Sequence, residues 1–190
     1  QNALYKKSYW QAYEKVNQKY CEEVVAVANS DDTIWIHDYQ LLLLPGLIRE
    51  RLPEVSIGFF LHIPFPSFEV FRLLPWRRQL LDGVLGSDLI GFHTYDDMRH
   101  FLSAVSRICF ISNQHGELSK DGRTVEVDSF PMGIDYDKYA SSSASPETLS
   151  REVKYRTSLG GQKLMLSIDR MDYSKGISDR LEIFDMFLDN

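Results

Sequence analysis

Histidine and aspartate side chains follow three apolar runs of the chain, at the point where each run ends. They are His37 and Asp38 after residues 33–36, His62 after residues 55–61, and His93 after residues 88–92. An imidazole can donate to a substrate oxygen or act as a general base, and a carboxylate can accept hydrogen bonds from sugar hydroxyls. The alternatives are structural: Asp38 as a helix cap, and His37 and His62 as hydrogen-bonded core residues.

A second group of chemically useful residues lies near the end of the chain, at residues 170–176. Arg170 offers a planar fork for phosphate oxygens, Lys175 offers a point charge, and a predicted helix beyond Gly176 adds free backbone N–H groups. These parts suit a diphosphate. The alternative is a solvated surface turn with an Arg–Asp pair and a free lysine.

Other catalytic patterns are missing from the sequence. The histidines lack the HExxH spacing of zinc enzymes, and there is no GxSxG elbow, Walker loop or GxGxxG fingerprint. The adjacent pairs Asp31–Asp32 and Asp96–Asp97 lie at element ends and are interpreted as caps rather than as facing glycosidase carboxylates. The sequence therefore predicts no metal and no cofactor.

The composition limits the class of protein. There are 21 basic and 27 acidic residues, a net charge of −6, which argues against nucleic acid as a partner. The uncharged apolar run at residues 41–48 is far shorter than the roughly 20 residues of a membrane span. Cys21 and Cys109 share no CxxC spacing, which is typical of a reducing compartment. We expect a soluble, cytoplasmic protein without a membrane partner.

The elements that position these groups alternate between strands and helices. Apolar runs predict strands at residues 33–36, 55–61 and 88–92, with helical segments between them. Near-continuous apolar runs are typical of parallel strands buried on both faces, so the predicted fold class is α/β, a parallel sheet with helices on both faces. Because ligands bind at the carboxyl ends of parallel strands, we expect Asp38, His62 and His93 at one edge.

Further elements are predicted on both sides of this core. Residues 1–30 are predicted as an amphipathic helix, and residues 105–111 and 123–128 as strands around a polar loop. The serine-rich residues 141–145 are interpreted as a flexible linker by composition. Its last residue, Ser145, is predicted to cap a helix that starts at Pro146 and ends at residues 160–161; a strand at 164–168 and a helix at 176–188 follow. The apolar stripe of the first helix is assigned to Tyr9, Tyr13, Val16, Tyr20, Val24 and Val27.

Four strings in this order resemble the trehalose-6-phosphate synthase family of retaining glycosyltransferases over essentially the whole chain. They are Trp-Ile-His-Asp-Tyr at 35–39, Gly-Phe-Phe-Leu-His-Ile-Pro-Phe-Pro at 58–66, Gly-Phe-His-Thr at 91–94 and Arg-Met-Asp-Tyr-Ser-Lys-Gly at 170–176. The resemblance implies two Rossmann-like domains in the GT-B arrangement. It also implies metal-free transfer of glucose from UDP-glucose to glucose 6-phosphate, forming trehalose 6-phosphate and UDP.

The resemblance also assigns roles to particular residues. Arg170 and Lys175 match the family's contacts to the donor diphosphate, and His62 matches its active-site histidine beside the transferred glucose. Asp38 matches the contact to the acceptor sugar, glucose 6-phosphate. Departures from the family pattern are Gln40, where histidine is frequent, and His93, where glutamine is common; neither position carries an assigned role.

The resemblance further implies an internal fragment. Residues 1–145 correspond to part of the N-terminal, acceptor-side domain, and residues 146–190 to a linker helix and the first βα unit of the nucleotide-sugar domain. We expect the fragment alone to be inactive, and to self-associate or to pair with the rest of its enzyme. A non-catalytic sugar-phosphate sensor on the same fold, or a GT-B enzyme with another acceptor or donor nucleotide, is the alternative.

Overall fold

A computed structural model of the chain describes residues 4–189 in two compact units, residues 4–133 and residues 134–189. Each unit is described by itself. The first unit contains, in chain order, α1 (Lys7–Val27), β1 (Thr33–His37), a 3₁₀ turn (Tyr39–Leu41), α2 (Leu44–Arg51), β2 (Ser56–Phe60), α3 (Phe68–Phe71), α4 (Arg77–Val84), β3 (Leu89–Phe92), α5 (Tyr95–Cys109), β4 (Asn113–Gln114), β5 (Glu117–Lys120) and β6 (Arg123–Ser129). No helix within residues 4–189 is both long enough and apolar enough to cross a membrane.

The strands form one mixed sheet in the order β1-β2-β3-β6-β5-β4. The first four are parallel; at one side β5 pairs antiparallel with β6, and β4 pairs antiparallel with β5. The register pairs His37 with Phe60 and Phe60 with Gly91, so neighbouring strands end at nearly the same level. The α/β fold with a mainly parallel sheet is confirmed, and the antiparallel addition was not predicted.

The core lies on one face of this sheet. Alternate strand residues Ile36, Ile57, Phe59, Ile90 and Phe92 are buried, and they cluster with apolar side chains of α1 to α5. The opposite face carries side chains such as Trp35 and Leu89, which are 68% and 37% exposed. Within residues 4–133 the helices therefore cover a single face, unlike the two-faced covering that the apolar runs predicted.

The buried stripe of α1 differs from the predicted one by rotation about the helix axis. Tyr9, Val16, Tyr20 and Val27 are exposed, while Asn17 and Cys21 are fully buried. The buried positions of α1 recur at helical spacing, but the polar Asn17 lies at the centre of the buried stripe. A pattern built from apolar residues alone therefore could not identify this stripe. Residues 1–3, which the predicted helix included, lie outside the described residues.

The strand predicted at residues 105–111 is wrong. These residues continue α5, whose buried positions Phe101, Val105 and Cys109 recur every four residues, a helical spacing. Phe110 ends the helix in the left-handed conformation, with φ of 59°. The predicted strand at residues 123–128 is confirmed as β6.

The second unit contains α6 (Tyr136–Ser143), α7 (Pro146–Leu159), a 3₁₀ turn (Tyr173–Lys175) and α8 (Ile177–Leu188). Ser145 caps α7 by accepting from the Thr148 N–H, and Gly160 ends it at φ of 55°, so both predictions are confirmed. The predicted serine linker is wrong, because α6 extends through Ser143 and these hydroxyls donate to carbonyls of the preceding turn. No strand forms at residues 164–168 of the described chain, where the apolar side chains are exposed.

At the amino-terminal edge of the sheet, one arginine joins three segments of the first unit. The Arg49 side chain is 12% exposed, and its Nη2 donates to both Asp88 oxygens at 2.7 Å. The same guanidinium donates to the carbonyls of Pro53, Val55 and Gly86 at 2.6–3.0 Å. Asp88 in turn accepts from the Ile57 N–H at 2.8 Å. This network fixes the end of the sheet opposite the histidines.

Replacing Arg49 by methionine is expected to lower the free energy of unfolding by about 3 kcal/mol. The substitution removes the two short hydrogen bonds to Asp88, which keeps only Arg123 and the Ile57 N–H, and it leaves the carbonyls of Pro53, Val55 and Gly86 without this donor. Denaturant unfolding measures the change. The matched control is Arg72→Met, which removes an exposed ion pair with Glu69 and should change stability by no more than about 0.5 kcal/mol. Equal effects of the two substitutions would contradict this role.

Candidate active site

Three loops meet at the carboxyl-terminal edge of the parallel strands. His37 ends β1, His62 follows β2, and His93 follows β3. The Nδ1 of His37 lies 2.9 Å from the Nε2 of His62, and the ring centroids of His62 and His93 are 5.4 Å apart. The Asp38 carboxylate accepts from the His62 N–H at 3.3 Å. The expected gathering of Asp38, His62 and His93 at one edge is confirmed.

Asp38 adopts a backbone conformation that side chains other than glycine rarely take, with φ of 69° and ψ of 173°. Its N–H donates to the Phe60 carbonyl at 2.8 Å, which extends the β1–β2 pairing past the strand end. Its Oδ1 also accepts from the Tyr39 N–H at 3.0 Å and caps the 3₁₀ turn. Oδ1 therefore makes both protein contacts of the carboxylate, and Oδ2 has no hydrogen-bond partner among residues 4–189.

The His62 ring is held by its neighbours rather than by the core. It packs between the rings of His37, Phe60 and His93, at centroid distances of 4.8–5.4 Å. Its Nε2 forms a hydrogen bond with the Nδ1 of His37, whereas its Nδ1 has no hydrogen-bond partner within the described part of the chain. His62 is exposed, so the core interpretation is wrong for this residue. One ring nitrogen is thus oriented by protein and the other is available to a substrate oxygen.

A groove of about 550 Å³ adjoins this edge on the exposed face of the sheet. Besides His37 and His62, its lining is mainly aromatic and apolar, with Trp35, Phe60 and Phe130 among the residues. Other grooves of similar volume lie away from the histidines, for example one of about 600 Å³ between α1, α2 and α4. The groove beside the sheet edge joins an apolar wall to the His37 and His62 side chains.

The predicted diphosphate segment lies in the second unit. Arg170 and Lys175 are exposed, and in the described residues no carboxylate pairs with either side chain. Asp172 caps the 3₁₀ turn through the Ser174 N–H, and this hydrogen bond holds the pKa of the Asp172 carboxyl below its usual range. Gly176, at φ of 57°, permits the turn into α8. Two cations therefore precede α8 in the chain, and Lys175 lies two residues before its first residue.

Within residues 4–189, no group of three or more His, Cys, Asp or Glu side chains is arranged so that it could hold a metal ion. The three histidines at the sheet edge stack against aromatic rings and against each other instead of converging on a point.

The family model described as Glycosyltransferase family 20 matches residues 1–190. The chain belongs to glycosyltransferase family 20. Within family 20, it is 46% identical over 188 residues to the bifunctional trehalose-6-phosphate synthase/phosphatase of Thermoproteus tenax, covering 98% of this chain and 26% of that protein.

Solved structures of family 20 proteins superpose on the chain. An alpha,alpha-trehalose-phosphate synthase (UDP-forming) from Burkholderia xenovorans in complex with glucose-6-phosphate is 31% identical, with a TM-score of 0.81, covering 98% of this chain and 42% of that one. A structure described as trehalose-6-phosphate from E. coli bound with UDP-2-fluoro glucose is also 31% identical, with a TM-score of 0.81 and coverage of 99% and 42%. The chain thus spans less than half the length of these relatives.

One contact of this family 20 site was missed by sequence reasoning. His37 was placed at the strand end, but its hydrogen bond to His62 was not predicted. The parallel register could have indicated it, because His37 pairs with Phe60 and His62 lies two residues further on, on the same side of the strand. His93, which carried no assigned role, packs edge-on against both Phe60 and His62.

Proposed function

We propose that this chain is part of a longer UDP-forming α,α-trehalose-phosphate synthase, which transfers glucose from UDP-glucose to glucose 6-phosphate with retention. The observation that carries the proposal is the contact between Asp38 and His62 at one sheet edge, where each has an unused polar atom and where His62 also lines the groove. Family membership and the relatives described with UDP-2-fluoro glucose and with glucose-6-phosphate support both substrates.

Each side chain has a role in this mechanism. Asp38 accepts from a hydroxyl of the acceptor glucose, and the free nitrogen of His62 bonds the glucose that is transferred. Arg170 and Lys175 neutralise the charge that grows on the diphosphate as UDP leaves, which is the electrostatic part of the catalysis. When the acceptor attacks from the face that UDP leaves, no enzyme nucleophile is required, and Asp38 serves in orientation alone.

In the GT-B arrangement, one domain binds the acceptor and the other binds the nucleotide sugar. We assign residues 1–145 to the acceptor-side domain and residues 146–190 to the beginning of the nucleotide-sugar domain. The compact units of the structure divide earlier, at residues 133 and 134, and α6 groups with the second unit. We place the protein in the cytoplasm, since Cys21 and Cys109 are both unpaired and buried.

A UDP-release assay on the full-length protein tests the function directly. Glucose 6-phosphate should accelerate UDP release from UDP-glucose, whereas glucose and fructose 6-phosphate should not. Release with a different acceptor would show a related GT-B enzyme with another specificity. Calorimetric binding of glucose 6-phosphate without any UDP release would favour a non-catalytic sensor and would contradict the proposal.

The 190-residue chain by itself is expected to self-associate and to lack activity. The exposed sheet face, with Trp35 and Leu89, and the unpaired edge of β1 offer surfaces that recruit other chains. The apolar residues 164–168, which include Leu166 at 75% exposure, offer a further one. Light scattering checks the first expectation and the UDP-release assay the second. A clean monomer that turns over UDP-glucose would contradict both.

A further inference from the structure

The turn that follows Asp38 is anchored by two side chains of α1. The Tyr13 hydroxyl donates to the Tyr39 carbonyl at 2.7 Å and accepts from the Leu42 N–H at 3.0 Å. One turn further along the helix, the Asn17 amide donates to the Gln40 carbonyl at 3.0 Å. These two side chains, 23 to 29 residues from their partners in sequence, thus hold three backbone groups of residues 39–42.

The hydrogen bonds from Tyr13 and Asn17 matter for Asp38 because the backbone conformation of Asp38 is unfavourable. A residue at φ of 69° and ψ of 173° is held there only when the surrounding structure fixes the chain on both sides. On the side of the sheet, the Asp38 N–H is fixed by the Phe60 carbonyl at 2.8 Å. On the other side, the next residues are fixed by Tyr13 and Asn17.

Asn17 is fully buried, and its placement has a cost that its two donors offset. Its Nδ2 donates to both the Tyr13 and the Gln40 carbonyls, each at 3.0 Å, while Oδ1 has no partner within residues 4–189. A buried acceptor without a partner destabilises the folded state. The amide is therefore retained where an apolar residue would complete the helix stripe, which is consistent with a requirement for its donors.

The tyrosine is suited to a permanent anchor. Burial raises the pKa of Tyr13 to about 12, although the hydrogen bond from the Leu42 N–H acts in the opposite direction. The hydroxyl consequently keeps its proton, and with it the bond to the Tyr39 carbonyl, at neutral pH.

We propose that Tyr13 and Asn17 are positioning residues for the acceptor site: they hold the 39–42 turn so that the Asp38 carboxylate faces glucose 6-phosphate. This inference rests on the proposed function of Asp38. It assigns a role in acceptor specificity to a helix whose exposed side chains take no part in the site. Neither residue touches substrate, and both act through the backbone of the turn.

The test compares Tyr13→Phe with Tyr20→Phe in the full-length protein. Both substitutions remove one hydroxyl from α1, but Tyr20 is 52% exposed and its hydroxyl has no partner in the described residues. With Tyr13→Phe, the KM for glucose 6-phosphate should rise about tenfold, as expected for a lost hydrogen-bonded anchor, while the KM for UDP-glucose stays unchanged. Tyr20→Phe should leave both values unchanged. A fall in kcat with both KM values unaltered would mark Tyr13 as merely structural and overturn the proposal.

Hydrogen exchange separates this inference from the proposed function. In Tyr13→Phe, and in the isosteric Asn17→Asp, the amides of residues 39–42 should exchange faster than in the parent protein, while those of β2 keep their protection. Unchanged exchange in both variants would overturn the anchoring whatever the activity. If the parent protein transfers no glucose but exchange accelerates as expected, the proposed function fails and the anchor on the turn stands.

Discussion

Replacing Lys175 by alanine in the full-length protein is expected to lower kcat for glucosyl transfer by about 10²–10³-fold, with a smaller change in the KM for glucose 6-phosphate. The diphosphate gains charge as the glycosidic bond breaks, so a cation beside it stabilises the transition state more than the ground state. Arg170→Ala should behave in the same way. Neither cation forms an ion pair with a carboxylate in the described residues, so no protein carboxylate competes with the diphosphate for either side chain.

Steady-state kinetics with each substrate varied in turn measures this effect. Lys154→Ala is a matched control, because Lys154 is an exposed lysine of the same unit, on α7, and it has no hydrogen-bond partner in the described part of the chain. Near-normal turnover of both Lys175→Ala and Arg170→Ala would remove these residues from the mechanism. An equal loss in Lys154→Ala would show that the assay reports general charge rather than this site.

Asp38→Asn is expected to lower kcat/KM for glucose 6-phosphate by about 100-fold. The amide oxygen can still accept from the Tyr39 and His62 N–H groups, so the turn is retained. The substitution removes the negative charge that strengthens the hydrogen bond from the acceptor hydroxyl, and charge-assisted hydrogen bonds contribute about 1.5–3 kcal/mol. The loss should appear with the acceptor varied, while the KM for UDP-glucose remains close to that of the parent protein.

The control for this variant is Asp32→Asn at the other end of β1. Asp32 also accepts from a backbone N–H, that of Asn29 at 2.7 Å, and it lies far along the strand from the histidines. The Asp32→Asn substitution should leave kcat/KM for glucose 6-phosphate unchanged. Full activity of Asp38→Asn would contradict the assignment of its carboxylate to the acceptor, even if the variant with alanine were inactive through loss of the turn.

The position of the site could be predicted from sequence because it depends on a rule of topology. Consecutive parallel strands end at one edge, so residues after the runs at 33–36, 55–61 and 88–92 had to meet there. Roles for Asp38, His62, Arg170 and Lys175 came from the resemblance to a family, since spacing alone left structural alternatives open. The strained backbone conformation of Asp38 could not be predicted from the sequence. A residue adopts such a conformation only when the surrounding tertiary structure imposes it.

The errors have physical causes as well. At residues 105–111, β-branched and apolar residues suggested a strand, but burial of Val105 and Cys109 against the sheet favours a helix. At residues 164–168, the apolar pattern indicates a strand, yet a strand needs a neighbour for its backbone hydrogen bonds. The described residues of the second unit contain no strand to pair with it. Serines 141–143 form hydrogen bonds to preceding carbonyls within α6, which composition could not reveal.

The most direct test of the central claim is the identity of the product. The full-length protein is incubated with glucose 6-phosphate and UDP-glucose labelled with carbon-13 at the anomeric position, and the label is followed by NMR. The account predicts that the label appears as an α-anomeric carbon bonded to the anomeric oxygen of the acceptor, in trehalose 6-phosphate, with one UDP released per linkage. A β-linked product, or label found only in free glucose, would contradict it.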